Sequence, residues 1–380
     1  MIRIRGAATA ALILVAIFSG AAHAQSSCTD LPTTAFDNFF PGYQAPPGPA
    51  HFNAALVNPP GTVSGNVDAT NCSVGIYYGP GQTGIVDNAT ISNAYVVGIL
   101  NDGANVTITH STIHDLGYQP FIGASGGVVL YPNNGSPLGI GIYLCGGATY
   151  GCTSNSPATG DIVKNVIYHY QKNGITLHGA MVQTSIVTNQ IVGLGPITRL
   201  SQNGIEIGYG AIATITGNDI SANQYSGTGG ATSNAVLGFG GDCFGTPLTI
   251  KNNVSDNVFI ANDIGVQYIN LPADCTSAVP TPTKNVIEGN VIRDSSVTNV
   301  SGATFSPPPN PPPSCANSSP CPYQAGIQVS GNADKIKDNL ICGAGYGPSV
   351  PPATLVGIDT SLAETAAVVK GNKVNTADCN

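Results

Sequence analysis

Charged residues are scarce in this chain of 380 residues: Asp, Glu, Lys and Arg together make up 8% of the sequence, against about 25% in ordinary soluble domains. Tryptophan is absent, and glutamate occurs only at Glu206, Glu288 and Glu364. The shortage of Glu, Lys and Arg argues against a helical protein, because these residues are good helix formers. Gly, Asn, Thr and Val are abundant instead, and they favour short strands joined by tight turns.

Basic residues and long apolar runs are also lacking once residues 1–24 are set aside. That segment combines Arg3 and Arg5 with a short apolar run and a final Ala-His-Ala, so we expect a signal peptide cleaved after Ala24. The rest carries ten basic and twenty acidic residues, a net charge of −10. This charge argues against a nucleic-acid partner and would repel a uronic-acid polymer unless calcium bridged the two. No later run has the length of a membrane helix, so we expect a secreted or periplasmic protein without a transmembrane segment.

Cysteine, in contrast, is present in an even number. All ten cysteines follow the expected cleavage site, and an even count in an exported chain predicts disulfides. The absence of C-x-x-C makes a zinc or thioredoxin-like site a weak interpretation. We expect cysteines that are neighbours along the chain to pair, as in Cys145 with Cys152 and Cys315 with Cys321, although the sequence leaves the connectivity open.

Two motifs alternate along the chain. One reads apolar-x-x-Asn-x-apolar and has its central asparagine at Asn165, Asn189, Asn218, Asn257, Asn290, Asn339 and Asn372. The other reads Gly-Ile/Val-x-apolar and begins at Gly98, Gly141, Gly174, Gly204, Gly265, Gly326 and Gly357, with a degenerate copy at Ala235. The step from the glycine to the next Asn or Ser is 13 to 15 residues in five copies, whereas the return step ranges from 9 after Asn165 to 36 after Asn290. One side of each repeat therefore has a nearly fixed length, and the other accepts insertions.

These motifs predict a solenoid of parallel strands. The glycine motif is a short strand with alternating inward and outward residues. The asparagine motif is two very short strands around a sharp bend, because Asn tolerates the left-handed conformation and its amide can bond to the Asn of the next coil. Three strands per coil, stacked in parallel, give a β-helix with a core of Ile and Val. A propeller ranks below it, because antiparallel blades do not explain one Asn bend per repeat.

The glycine strand, the fixed turn, the Asn bend and the variable return resemble the repeats of the pectin-lyase-like superfamily, from about Gly84 to Val374. The resemblance implies an all-β fold, a right-handed single-stranded parallel β-helix (solenoid) of about 8–10 coils. We expect a signal peptide at 1–24, an N-terminal cap or irregular region at 25–83, and a β-helix domain at 84–380 with a Pro-rich loop at 302–324. The superfamily contains lyases, hydrolases, epimerases and adhesins, so the fold leaves the activity open.

In that superfamily the cleft lies on the strand after the variable return loop, which is the Gly-Ile-x-Val strand here. With Ile inward, the x residues form an outward column, and a second column follows two residues later. The first column is Tyr143, Thr176, Glu206, Leu237, Gln267, Gln328 and Asp359. The second is Cys145, His178, Gly208, Ile269, Ser330 and Ser361. Because neighbouring coils lie about 4.8 Å apart, we expect the side chains of His178 and Glu206 to converge.

The middle coils thus collect the candidate site. We predict catalytic roles for His178, Glu206, Asp242 and Arg199, and substrate binding by Tyr143, Lys172, Tyr209, Gln267 and Tyr268. The resemblance implies a polysaccharide substrate. A lyase would use His178 or Tyr209 as the base, with Arg199 or a calcium ion on the uronate carboxylate. A hydrolase would use Glu206 and Asp242 as its carboxyl pair.

Several family patterns are missing. The chain lacks the Asn-Thr-Asp, Asp-Asp and Gly-His-Gly motifs expected of polygalacturonase-like hydrolases, and Arg199 and Arg293 are its only arginines after the signal peptide. A secreted lyase or hydrolase predicts a groove in which aromatic side chains stack on sugar rings, and the candidates are Tyr143, Tyr209, Phe239 and Tyr268. The alternative, a non-catalytic surface-binding or structural β-helix, predicts a flat face. We expect a monomer, no protein-held metal, and calcium as the one candidate cofactor.

Overall fold

The computed structural model describes residues 27–32, 52–117, 121–122, 128–129, 138–147, 155–198, 200–228, 231–275, 277, 279–300, 323–347, 354–360, 367–375 and 377. The predicted signal peptide and most of the Pro-rich loop (301–322) lie outside these residues. The strands are β1 Thr29–Asp30, β2 Asn53–Val57, β3 Thr62–Asp68, β4 Val74–Tyr78, β5 Thr83–Ser92, β6 Val97–Asp102, β7 Asn105–Thr109, β8 Thr112–His114, β9 Phe121–Ile122, β10 Val128–Val129, β11 Ile140–Cys145, β12 Ala158–Val163, β13 Val166–Tyr168, β14 Asn173–His178, β15 Val182–Val187, β16 Gln190–Ile197, β17 Asn203–Gly208, β18 Ile212–Thr216, β19 Asp219–Tyr225, β20 Asn234–Gly240, β21 Asn253–Ser255, β22 Val258–Ile260, β23 Ile264–Asn270, β24 Val286–Glu288, β25 Val291–Arg293, β26 Tyr323–Val329, β27 Lys335–Lys337, β28 Leu340–Cys342, β29 Thr354–Asp359, β30 Val368–Lys370 and β31 Lys373–Asn375. Two short 3₁₀ turns span Asp242–Phe244 and Ala344–Tyr346.

The strands form three parallel stacks, and from β6 onward each coil contributes one strand to each stack. In the two earlier coils, β3 and β5 each span the bend between the second and third stacks. The glycine motifs build the first stack, which runs β2, β4, β6, β11, β14, β17, β20, β23, β26 and β29. The two halves of the asparagine motif build the other two stacks. One runs from β7 through β12, β15, β18, β21, β24 and β27 to β30, and the other from β8 through β13, β16, β19, β22, β25 and β28 to β31. The described residues therefore contain ten coils of a parallel β-helix.

The inward positions predicted from the motifs form the core. The register aligns Ile142 with Ile175 and Ile175 with Ile205, and all three side chains are fully buried. The glycine before each of them is needed for close packing, since a Cβ at Gly141 would lie 2.7 Å from the core atom Ile167 Cγ2. Burying a column of Ile and Val in this way stabilises each coil by about 1.5–3 kcal/mol per side chain.

The asparagines form the expected ladder along the bend. Asn189 Nδ2 donates to Asn218 Oδ1 at 2.9 Å, and Asn218 Nδ2 donates to Asn257 Oδ1 at 2.9 Å. The left-handed conformation belongs to the residue before the asparagine, however, as at Thr188 (φ 53°) before Asn189. Our assignment of the left-handed conformation to Asn itself is therefore corrected in these repeats. The Asn side chain points inward to bond with the next coil, and its predecessor makes the bend.

The β-helix begins earlier than the expected boundary at residue 84. β2 already pairs in parallel with β4, aligning Leu56 with Ile76, and β3 pairs with β5 in the second stack. β1 pairs antiparallel with β2 at the N-terminal end. These first coils lack the asparagine motif, so the repeat pattern did not reveal them.

Two disulfides join cysteines that are neighbours along the chain, Cys28 with Cys72 and Cys243 with Cys275. This agrees with the expected pairing order. Of the pairs we named, Cys145 with Cys152 is corrected, because Cys145 is not in a disulfide and its buried thiol donates to Asp102 Oδ1 at 3.7 Å. The other pair, Cys315 with Cys321, lies outside the described residues. Within the part of the chain that the structure describes, no helix is both long and apolar enough to cross a membrane.

Candidate functional site

The candidate site lies on the outer face of the first stack, where three consecutive strands meet. The register of β11, β14 and β17 aligns Tyr143 with Thr176 and Thr176 with Glu206. His178 lies two residues further along β14, opposite Cys145 on one side and Gly208 on the other. Because alternate residues of a strand share a face, Tyr143, Glu206 and His178 all point away from the core.

Three of these side chains form a continuous hydrogen-bonded row across the coils. The Tyr143 hydroxyl lies 3.0 Å from His178 Nδ1, and His178 Nε2 lies 3.0 Å from Glu206 Oε1. His178 is 7% exposed and Tyr143 is 2% exposed, so water competes little for these bonds. We call this row the Tyr-His-Glu relay.

Two asparagines and a lysine hold Glu206 in its ionised form. Asn203 Nδ2 donates to Glu206 Oε2 at 3.0 Å and also reaches Asn173 Oδ1 at 3.1 Å. Burial alone would raise the pKa of Glu206, but the hydrogen bond from His178, the charge of Lys172 and, when the imidazole is protonated, the charge of His178 outweigh it and lower this pKa to about 2. Lys172 itself donates to the carbonyl of Ser201 at 3.2 Å.

The ionised carboxylate fixes the roles of the two ring nitrogens of His178. A carboxylate only accepts hydrogen bonds, so His178 Nε2 carries a proton and donates it to Glu206. In neutral His178 the other nitrogen, Nδ1, then accepts the proton of the Tyr143 hydroxyl. The relay can therefore draw the phenolic proton onto His178 and stabilise the resulting imidazolium through Glu206, which is the arrangement of an activated tyrosine.

Aromatic rings border the relay on one side. The His178 ring centroid lies 4.8 Å from that of Tyr209 and 5.9 Å from that of Phe239, and Phe239 in turn contacts Phe244 at 5.7 Å. A Cβ at position 208 would lie 2.6 Å from Phe239 and 3.3 Å from His178, so only glycine lets these rings approach. Tyr209, Phe239 and Phe244 are each half-buried.

The structure separates the other predicted site residues from the relay. Asp242 is exposed and opens the 3₁₀ turn that follows β20. Gln267 is 2% exposed and bonds to Gln328 on the same outer face. Tyr268 lies in the core with no exposed surface, because it occupies the inward apolar position of its own glycine motif. Our prediction that Tyr268 contacts substrate is thereby corrected. Arg199 lies outside the described residues.

Sequence reasoning missed several members of the site. Asn173 and Asn203 stand directly before the glycines of their strands, and this recurring Asn-Gly pair was a signal available in the sequence. Phe244 has no such signal, because it lies in an insertion whose path depends on the Cys243–Cys275 disulfide. In the described part of the chain, no three His, Cys, Asp or Glu side chains are placed to hold a metal ion.

A second polar cluster lies in the C-terminal coils. Asp263 Oδ2 accepts hydrogen bonds from the backbone of Tyr225 and Ser233, both at 2.9 Å. Asp294 Oδ2 accepts one from Gln324 Nε2 at 3.0 Å. Burial raises the pKa of Asp263 to about 7 and that of Asp294 to about 6, against the hydrogen bonds, which lower both. The donors that surround both carboxylates mark this cluster as a structural network.

Comparison with known proteins agrees with the fold. Residues 56–195 match the model of a family described as a right handed beta helix region. No curated protein matches the chain. Among solved structures, the chain is similar to the crystal structure of the Dettilon tailspike protein, at 14% identity and a TM-score of 0.34. That match covers 83% of this chain and 61% of the other, so the chain spans about three fifths of that structure's length. From its parallel stacks and its family match, this chain is a right-handed parallel β-helix repeat protein, as its motifs predicted.

Proposed function

We propose that this protein is a secreted enzyme that cleaves a polysaccharide containing uronic acid by β-elimination. The observation that carries the proposal is the Tyr-His-Glu relay, because it joins a phenol, an imidazole and an ionised carboxylate through two hydrogen bonds of 3.0 Å. Such a row supplies a base for removing the proton next to a carboxyl group. Lys172 supplies a positive charge beside the relay for the substrate carboxylate.

The proposed reaction returns every group to its starting state. Tyr143 faces outward but is 2% exposed, so the polymer reaches its hydroxyl only after the groups that cover it move aside. Tyr143 then passes its phenolic proton to His178 Nδ1, and the phenolate takes the proton from the carbon next to the uronate carboxyl group. The electron pair forms a carbon–carbon double bond and breaks the bond to the glycosidic oxygen. Tyr143 donates the proton that it has taken to that oxygen, and His178 returns its proton to the Tyr143 phenolate. The products are an unsaturated sugar end and a new hydroxyl group.

The electrostatics of Glu206 favour a lyase over a hydrolase. A glycoside hydrolase needs one carboxylic acid that keeps its proton and a second carboxyl group across the scissile bond. With a pKa of about 2, Glu206 holds no proton at neutral pH. Asp242, the other carboxyl group we considered, is exposed in a turn beyond the end of β20, while Glu206 lies in the middle of β17.

A non-catalytic β-helix that binds a surface glycan is the second candidate. It is favoured by the burial of the outward column on both sides of Glu206, since Thr176 is 1% exposed and Gln328 is 3% exposed. A long open groove over this face would leave such residues accessible. The two candidates differ in whether the relay turns over a substrate.

The test is a screen of uronic-acid and neutral polymers with the purified protein, with and without calcium. Unsaturated ends and reducing sugar are read separately, and His178→Ala is compared with His110→Ala, which removes an exposed histidine elsewhere on the surface. We expect unsaturated product that His178→Ala abolishes and His110→Ala preserves. Reducing sugar without unsaturation would overturn the lyase in favour of a hydrolase. No product on any polymer would favour the non-catalytic candidate.

A further inference from the structure

The half-buried rings of Tyr209, Phe239 and Phe244, here called the aromatic cluster, are centred on Phe239. The Phe239 centroid lies 5.5 Å from Tyr209 and 5.7 Å from Phe244, with interplanar angles of 82° and 69°. Such edge-to-face pairs each contribute about 0.5–1.5 kcal/mol beyond the burial of their area. The cluster is therefore an ordered surface of three rings, and it adjoins His178.

The backbone around the cluster is built to present these rings. Tyr209 has a φ of 57°, a left-handed conformation that a bulky residue adopts only where its surroundings enforce it. Phe244 ends the 3₁₀ turn of Asp242–Phe244, and the Cys243–Cys275 disulfide ties this turn to the segment after β23. The Cys243 N–H also donates to the carbonyl of Leu271 at 3.3 Å. The backbone that carries Phe244 is thus held by the disulfide and by this hydrogen bond, and the ring itself packs on Phe239.

Polar acceptors stand beside the rings. Asp242 is exposed at the first residue of the same turn, and the ionised Glu206 lies next to His178 on the other side. A pyranose ring has apolar C–H faces and a rim of hydroxyl donors. An aromatic surface flanked by carboxylates matches both properties, in the manner of ligand sites with apolar walls and few polar groups.

We propose that the aromatic cluster is a subsite that stacks on one pyranose ring of the bound polymer, next to the ring that meets the relay, and that the Cys243–Cys275 disulfide fixes this subsite. The inference rests on the proposed function, because the polymer is the same. It gives Asp242 the role of accepting hydrogen bonds from the hydroxyl groups of that sugar ring, and it gives Phe244 its first functional role.

The test measures polymer binding by calorimetry in a Glu206→Gln background, in which the polymer stays intact. Adding Phe244→Ala is expected to raise Kd at least about tenfold, and Cys243→Ser with Cys275→Ser to raise it to a similar extent. The matched control is Tyr168→Ala, which removes a half-buried ring that stacks on His114 at another face. Melting curves show that each variant is folded.

The outcomes separate the subsite from the proposed function. Binding that weakens with Phe244→Ala and not with Tyr168→Ala supports the subsite. Equal binding by Phe244→Ala and its parent overturns the subsite and leaves the lyase standing. In the otherwise unchanged enzyme, Phe244→Ala is expected to raise KM with little change in kcat. This is the result expected when the lost contact stabilises the bound substrate and the transition state equally. A Glu206→Gln protein that binds no polymer, together with an unchanged protein that releases no unsaturated product, overturns both.

Discussion

At the scale of single residues, the imidazole of His178 decides which atom can meet a substrate. Both of its ring nitrogens are engaged, Nε2 with Glu206 and Nδ1 with Tyr143. In the proposed mechanism, His178 therefore acts through the Tyr143 hydroxyl and not by direct contact with the polymer. Tyr143, which we predicted only as a substrate-binding residue, becomes the reacting group of the proposed mechanism.

Tyr143→Phe tests this role with the loss of one oxygen atom. The ring still fills its buried position, but His178 Nδ1 loses its partner, so the free energy of unfolding should fall by about 1–3 kcal/mol. The rate should fall by about 10²–10⁴-fold if the hydroxyl transfers the proton. The measurement is kcat for unsaturated product, with Tyr168→Phe as the matched loss of a half-buried hydroxyl on another face. Retained kcat in Tyr143→Phe would show that the hydroxyl only supports His178.

The convergence of His178 with Glu206 followed from counting repeats, because their strands pair in adjacent coils and the two residues lie two positions apart in register. Tyr143 is offset from His178 by the same two positions on the preceding coil, so its contact with the other ring nitrogen belongs to the same repeat geometry. Our sequence analysis treated Tyr143 only as a substrate-binding residue and did not pair it with His178. Phe244 escaped prediction for a different reason, since its turn follows no motif.

At the scale of elements, the asparagine ladder is the feature that joins one coil to the next at the bend. Asn218 accepts from the backbone N–H and the side-chain amide of Asn189, both at 2.9 Å. It also donates to the carbonyl of Ile186 at 2.9 Å. Each asparagine thus satisfies buried groups on both neighbouring coils, which makes the ladder more than a local turn motif.

Asn218→Ala should therefore be strongly destabilising. It leaves buried donors of Asn189 and the carbonyl of Ile186 without partners, and each such group costs about 1–3 kcal/mol. We expect a loss of at least about 3 kcal/mol in the free energy of unfolding by denaturant. Asn105→Ala, at an exposed strand residue, is the control and should change this free energy by less than about 0.5 kcal/mol. Equal effects of the two changes would contradict the ladder's contribution.

The residue before each ladder asparagine offers a stabilising change. Thr188 is left-handed with a φ of 53°, while Gly217 occupies the equivalent place in the next coil with a φ of 67°. A β-branched residue is strained there, so Thr188→Gly should raise the free energy of unfolding by about 0.5–1 kcal/mol. Thr214→Gly, in an extended strand, should lower it instead. The two melting curves, shifting in opposite directions, check the assignment of the bend.

The sequence predicted the elements of the regular coils well, because two motifs with fixed spacing report the strands directly. It placed the left-handed residue wrongly at Asn, since Asn tolerates that conformation, although a glycine at 217, 289 and 371 already marked the preceding position in three of the seven repeats. Lys164, Thr188 and Asp256 all fill it, with φ between 53° and 56°. The tertiary ladder, not the local preference of Asn, determines which residue makes the bend.

At the scale of the whole molecule, the two ends of the solenoid differ. β1 and the Cys28–Cys72 disulfide lie at the N-terminal end. In the last described coil, Val369 and Val374 continue the buried columns of Ile336 and Ile341 but are 48% and 51% exposed. Exposed lysines, Lys370 and Lys373, stand beside them, and charges of this kind oppose pairing of sheet edges. The monomer remains a prediction consistent with this arrangement.

The buried acids of the C-terminal coils make the stability of the whole molecule depend on pH. The pKa of Asp263 is raised to about 7 and that of Asp294 to about 6, so the folded state favours their protonated forms. Their contribution is fully present below the usual pKa of about 4 and is lost as pH rises through 6 and 7. The lowered pKa of Glu206 acts in the opposite sense, and its contribution is lost as pH falls from about 4.5 towards 2.

We therefore expect stability to be greatest near pH 4 and to fall by roughly 2 kcal/mol or more between pH 5 and pH 8, since each unit of pKa shift corresponds to about 1.4 kcal/mol. Denaturant unfolding at pH 5 and pH 8 measures this difference. Asp294→Asn removes the ionisable group, so it should reduce the difference in the free energy of unfolding between pH 5 and pH 8. The variant is less stable at both pH values, because the amide replaces an acceptor with a donor. Asp219→Asn, at an exposed position, should leave the difference unchanged. If Asp294→Asn shows the full pH dependence, its carboxyl group is ionised throughout this range, and the buried network is held by charge-assisted hydrogen bonds instead.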